Sequence, residues 1–164
     1  MRMLPALFVA SALIIVSACT TTEITAKMAL DDGVQESLEI TQVAVEATPE
    51  SEATPTILAA LEKAVEVQLA ARNISGEPAR MELVVTFVNP LTGADRALAG
   101  ALAGPNELNV TATIISQSDG EVLAEFDILG AHNPAALGAF SDQEVTTAES
   151  VAQSLVDEIY GAQN

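Results

Sequence analysis

The apolar positions of this chain fall into segments of two different periods, and the order of those segments predicts an architecture. Leu38, Ile40, Val43 and Val45 mark a first strand. Its apolar phase slips between Ile40 and Val43, which predicts a bulge near Gln42. A polar connection from Thr48 to Thr56 follows. Thr54 can cap a helix there, and Pro55 suits the first helical turn. Ile57, Leu58, Leu61, Val65 and Leu69 then recur at helical spacing, with Glu62, Lys63 and Glu66 mostly opposite. Met81, Leu83, Val85 and Phe87 alternate with Glu82, Val84, Thr86 and Val88, a second strand closed by Asn89-Pro90. Leu108 to Ile115 and Val122 to Leu129 read as a hairpin. A three-residue loop (Ser118, Asp119, Gly120) with left-handed Gly120 pairs Ile114 with Ala124, Ala112 with Phe126 and Val110 with Ile128. Ser141-Asp142-Gln143-Glu144 has the form of a capping box. Behind it Val145, Ala148, Val151, Ala152, Leu155, Val156 and Ile159 form one apolar stripe, and Gly161 ends the helix.

The order is therefore β-α-β-β-β-α. Neither one-sided helix can bury its stripe alone, and a half-polar sheet needs one covered face. The fold class expected is α/β (α+β): a two-layer sandwich with a four-stranded mixed sheet and two helices on one face. Residues 20–36 carry no sustained period and read as a tether, with some order expected from Ile24 to Leu30. The domain itself is expected over residues 37–164.

The start of the chain changes the picture. Arg2 is followed by an apolar run from Leu4 to Val16, then by Ser17, Ala18 and Cys19. A basic start, a short apolar run and small residues make a secretory signal peptide over residues 1–18. The run is shorter than the roughly 20 apolar residues that span a bilayer. Val16-Ser17-Ala18-Cys19 resembles the bacterial lipoprotein box. That resemblance implies a diacylglyceryl thioether on Cys19, cleavage before it, and acylation of the new amino group. Several acyl chains give stable membrane attachment where one would not. Thr20, rather than Asp, follows the lipidated position. By the sorting rule of enteric lipoproteins this implies the periplasmic face of the outer membrane.

Composition narrows the possibilities further. Cleavage before Cys19 leaves 146 of the 164 residues, enough for one domain with its own core. It removes Arg2 and leaves five bases against 23 acids, a formal charge of −18. Phosphate backbones repel such a surface, so nucleic acid is not an expected partner. The single Cys is committed to lipid, so stability must come from packing without a disulfide. With no Trp and few other aromatics, the core must be aliphatic.

Candidate chemistry is sparse. His132 is the only His and falls in the turn-rich Gly130-Ala131-His132-Asn133-Pro134. It reads as a surface loop residue, because no second His or free Cys completes a metal site and Gly-x-Ser-x-Gly is absent. Asp31-Asp32-Gly33 and Asp119-Gly120-Glu121 lack the spaced oxygen ligands of a calcium loop. No catalytic residue, metal or cofactor is expected. The most unusual stretch is the small-residue run from Thr92 to Gly104. It reads either as a closely packed connection or as an element that meets a partner or ligand through Arg96, Leu98, Gly100, Leu102 and Gly104.

The lipobox, the run Gly93-Ala94-Asp95-Arg96 through Gly100 and Gly104 into Leu108-Asn109-Val110, and the later Gly120-Glu121-Val122-Leu123 together resemble a family of uncharacterised proteobacterial envelope lipoproteins with a domain of unknown function. The resemblance covers residues 36–160 in pattern. It implies a small α/β periplasmic domain without enzymatic activity, and it carries over no catalytic residue. Two functions remain open: a non-enzymatic accessory that contacts an envelope protein, and a module that binds a lipid or other apolar small molecule on the sheet's second face, at Val84, Val88, Ile115, Leu123 and Leu129. Sequence leaves the oligomeric state open.

Overall fold

A computed structural model describes residues 19–72, 74–89, 104–133 and 143–162. The elements are β1 (Cys19–Met28), a single-turn helix α1 (Asp32–Gln35), β2 (Leu38–Ala47), α2 (Pro55–Arg72), β3 (Glu77–Asn89), β4 (Asn106–Ser116), β5 (Val122–Asn133) and α3 (Gln143–Tyr160). The five strands form one sheet in the order β1-β5-β4-β3-β2. Only β2 and β3 pair in parallel, across the α2 crossover; the other three pairings are antiparallel. The helices α2 and α3 pack on each other and on the sheet, enclosing the aliphatic core.

The expected two-layer mixed sheet stands, with two corrections. Among the described residues the sheet has five strands rather than four, and α1 adds a third helix. The fifth strand is β1, formed by residues that read as a tether. Its period is two, but it alternates Thr20, Thr22, Ile24 and Ala26 with Thr21, Glu23, Thr25 and Lys27. Only Ile24 is strongly apolar, so hydrophobic periodicity cannot reveal it. β-Branched threonines, which favour strands, are the signal that remains.

Elsewhere local chemistry and structure agree. The register of β2 against β3 slips between Ile40 and Gln42, where the apolar phase slips. Ile57 N–H donates to Thr54 Oγ1 (3.3 Å), so Thr54 caps α2 and Pro55 occupies its first turn. In the hairpin Ile114 faces Ala124, Ala112 faces Phe126 and Val110 faces Ile128. Gly120 N–H donates to the Ser116 carbonyl (3.1 Å) and Ser116 N–H to the Glu121 carbonyl (2.9 Å). Ser116 and Glu121 therefore close a four-residue loop instead of the expected three, with Gly120 as its bulge residue at φ +79°, and a register shift between Ile114 and Ile115 restores the expected apolar pairs.

One strand breaks its predicted phase. Met81, Leu83 and Val85 are buried, but the β3–β4 register shifts between Val85 and Phe87. Past that bulge Val88 faces the core and Phe87 faces out. Thr86 is the extra residue.

The helical stripes fill the core. Leu61 and Val65 of α2 meet Ala148, Val151, Ala152 and Leu155 of α3, all completely buried. Each large aliphatic side chain here contributes roughly 1.5–3 kcal/mol of burial. Arg72 ties the two helices together at their carboxyl ends. Its guanidinium pairs with Asp157 and donates to the Gly161 carbonyl. A cation there is favoured by both helix dipoles. The capping box at Ser141-Asp142 lies outside the described residues, while Gly161 takes φ +81° at the helix end as expected.

Candidate functional site

Three places hold the residues that sequence singles out. The first is the end of the sheet where β1 begins. No spacer separates Cys19 from the fold: it is the first residue of β1 and pairs with Asn133 of β5. The next row runs Thr20–His132–Asn106 across β1, β5 and β4. Thr20 Oγ1 and His132 Nδ1 are 2.7 Å apart, and His132 is only 5 % exposed. His132 is thus a buried strand residue and not a surface loop residue. The expectation fails because β1 supplies the partner that extends β5 to Asn133. Two residues on, Thr22 Oγ1 meets Ser150 Oγ of α3 (3.1 Å). Gly130, between them in β5, lets α3 approach: a Cβ there would lie 2.4 Å from Val151 Cγ2.

The second place is the small-residue segment. Arg96, Leu98, Gly100 and Leu102 lie outside the described residues. Gly104 is described, at φ +84° with open space around it, so its glycine answers a backbone requirement and not a packing one.

The third place is the sheet face away from the helices. Lys27 Nζ reaches Asp127 (2.8 Å) and Glu125 (3.0 Å), and Thr111 Oγ1 donates to Asp127 (2.9 Å). Hydrogen bonds to Asp127 and Glu125 raise the Lys27 ammonium above its ordinary value, and the bond from Lys27 holds the Asp127 carboxyl below its own. Arg80 Nε pairs with Glu82 (2.9 Å). One row differs in character: Phe87–Asn109–Leu129–Glu23. Phe87 and Leu129 are exposed, and between them Asn109 Oδ1 is buried without a hydrogen-bond partner. Of the apolar set expected on this face, Val84, Ile115 and Leu129 lie there, Ile115 with little exposure. Leu123 is half-buried against the core, and Val88 belongs to the core outright. Sequence missed Phe87 because the bulge at Thr86 reverses the alternation of β3 after it, and so missed that Phe87 stands beside Asn109. Threonine within an otherwise apolar strand end was the only local sign.

Two open grooves of about 720 Å³ flank the helices. One lies beside the β2 bulge, between Glu39, Glu66, Leu69 and Tyr160. Burial raises the Tyr160 hydroxyl above its ordinary value, and that hydroxyl donates to the Leu38 carbonyl (3.3 Å). The other follows the seam of α2 and α3 past Ala60, Lys63 and Glu149. Among the described residues no three His, Cys, Asp or Glu side chains gather as metal ligands. At the hairpin Asp119 instead accepts from Glu121 N–H (3.1 Å). Its carboxyl is held low, first by the Ser116 hydroxyl and then by that N–H. No described helix is long and apolar enough to cross a membrane.

No protein-family model matches the sequence, and no curated protein matches it. Solved structures do. A PelC dodecamer from Paraburkholderia phytofirmans, in a form carrying one Leu-to-Met substitution of its own, is similar at 19% identity and a TM-score of 0.51, covering 88% of this chain and 100% of that one. A second PelC dodecamer from the same organism gives 0.50 with the same identity and coverage. A minor lipoprotein from Acinetobacter baumannii is matched at 15% identity, covering 77% of this chain and 99% of that one, with a TM-score of 0.38. At these identities the PelC likeness is one of fold: the same α+β sandwich, over most of both chains.

Proposed function

We propose that this chain is a lipid-anchored envelope lipoprotein, held on the periplasmic face of the outer membrane, whose domain works without catalysis through contact with another protein. The observation that carries the reading is the lipobox Val16-Ser17-Ala18-Cys19 behind a short apolar leader, with Thr20 at the sorting position. The position of β1 agrees with it, because Cys19, the residue that cleavage would expose, already pairs within the sheet. Contact with protein draws support from two features. The sheet has two edge strands, β1 and β2, whose outer backbone groups are available for pairing. The PelC chains that share this fold are dodecamers, so this type of sandwich can carry extensive protein–protein contact.

In-cell crosslinking followed by envelope fractionation tests this. The protein should sediment with outer membranes and give a reproducible crosslinked species, either with a second copy or with one envelope protein. Recovery in the soluble periplasm, or only monomer across several crosslinkers, would count against it.

A second reading, binding of an apolar small molecule, is favoured by the Phe87–Asn109–Leu129 row. An apolar ligand with a hydrogen-bond donor would cover both exposed side chains and satisfy Asn109 Oδ1. Native mass spectrometry of the delipidated domain should then show a co-purifying mass that Asn109→Val and Phe87→Ala both remove. A clean apo mass from repeated preparations would exclude it.

A further inference from the structure

We infer that the domain sits directly on the bilayer with a fixed end towards it: the end of the sheet formed by the start of β1, the end of β5 and the start of β4. The inference rests on the lipid-anchor reading and goes beyond it, because an anchor alone does not orient a domain. A free tether over residues 19–36 could extend up to about 60 Å and leave the domain unoriented. No such tether is present. Backbone pairing begins at Cys19 itself, with Asn133, and continues along β1 to Met28. Side chains reinforce it at once: Thr20 to His132 at 2.7 Å and Thr22 to Ser150 at 3.1 Å. Acyl chains on Cys19 therefore bring these rows to the headgroups.

The distribution of charge agrees with that orientation. The rows Thr20–His132–Asn106 and Thr22–Gly130–Leu108–Val88 carry no acid, the row Thr21–Ala131–Glu107–Asn89 carries one, and the turn after β2 beside them adds Glu50 and Glu52. The opposite end of the sheet is different. Asp31, Glu36, Glu77, Asp119, Glu121 and Glu158 are all exposed there. Ten residues of β1 place that end about 30 Å further from the anchor. An anionic leaflet repels it and tolerates the acid-poor end. Among the described residues the end towards lipid is thus the less acidic of the two, and the more acidic end faces the periplasm.

Depth-dependent fluorescence quenching tests this on the full lipoprotein, expressed with its leader and placed in phosphatidylethanolamine/phosphatidylglycerol vesicles. Cys19 is blocked by lipid, so an introduced thiol can be labelled alone. A bimane on Thr21→Cys, or on its neighbour Ala131→Cys, should be quenched by headgroup-nitroxide lipid at least threefold more than one on Ser118→Cys. A 12-residue Gly/Ser spacer between Cys19 and Thr20, with a reach of about 20 Å, should bring that ratio close to one. Equal quenching at both ends without the spacer, in protein whose intact mass shows acylation, overturns the orientation and leaves the anchor standing. An unacylated mass overturns both.

Discussion

Gly130 sets how closely α3 lies on the sheet. Gly130→Ala puts a methyl group 2.4 Å from Val151 Cγ2 and should destabilise the domain by roughly 1–3 kcal/mol in urea unfolding. Val151→Ala in the same chain should recover part of the loss; strictly additive costs would contradict the contact. Asn109 predicts the opposite sign. Its Oδ1 is buried without a partner, so Asn109→Val should leave the unfolding midpoint unchanged or raise it. The Lys27–Asp127 pair gives a pH signature. The Asp127 carboxyl is held below its ordinary 3.8, so its contribution is present above that pH and fades as pH falls through the lowered value. Lys27 is raised above 10.5, so its contribution is complete below that pH and fades as pH rises through the raised value. Stability should therefore depend less steeply on pH at both extremes in Lys27→Met than in the parent chain, as thermal melts across pH would show. These residues were the least legible in sequence. His132 looks like a loop residue until β1 is known to lie beside it, and Phe87 cannot be placed on a face until the Thr86 bulge is known.

Elements were legible where a local signal fixed them. The α2 start followed from Thr54-Pro55, the β2 bulge from a slipped apolar phase, and the apolar pairs of the hairpin from the matching of apolar faces, while the loop proved one residue longer than Asp119-Gly120 alone suggested. The strand β1 lacked such a signal. Its core-facing positions are Thr20, Thr22, Ile24 and Ala26, and two of these four meet their neighbours through hydroxyl groups instead of apolar surface. A strand that docks by hydrogen bonds reads as a polar linker. The two alternatives differ sharply in hydrogen exchange. Residues 20–27 should yield a peptide protected for minutes or longer by pairing with β5. Complete exchange at the earliest time would return this segment to a tether. Ile24→Ala should shorten that protection more than Thr25→Ala, because Ile24 packs against the core and Thr25 faces outward.

The whole molecule joins an aliphatic sandwich to a strongly anionic surface and, in the function proposed, to lipid at Cys19. Its core packs without a disulfide, which leaves the one Cys available for the lipid proposed. Its fold is shared with chains that assemble as dodecamers, while the residues outside the core are free to set a different partner. Location, orientation and partner contact all depend on the chemistry at Cys19. Intact mass spectrometry of protein extracted from envelopes in detergent reads that chemistry directly. The predicted mass is that of the chain from Cys19 onward carrying a diacylglyceryl thioether and an N-acyl group. A mass that retains residues 1–18, or one that shows an unmodified thiol at Cys19, would contradict it.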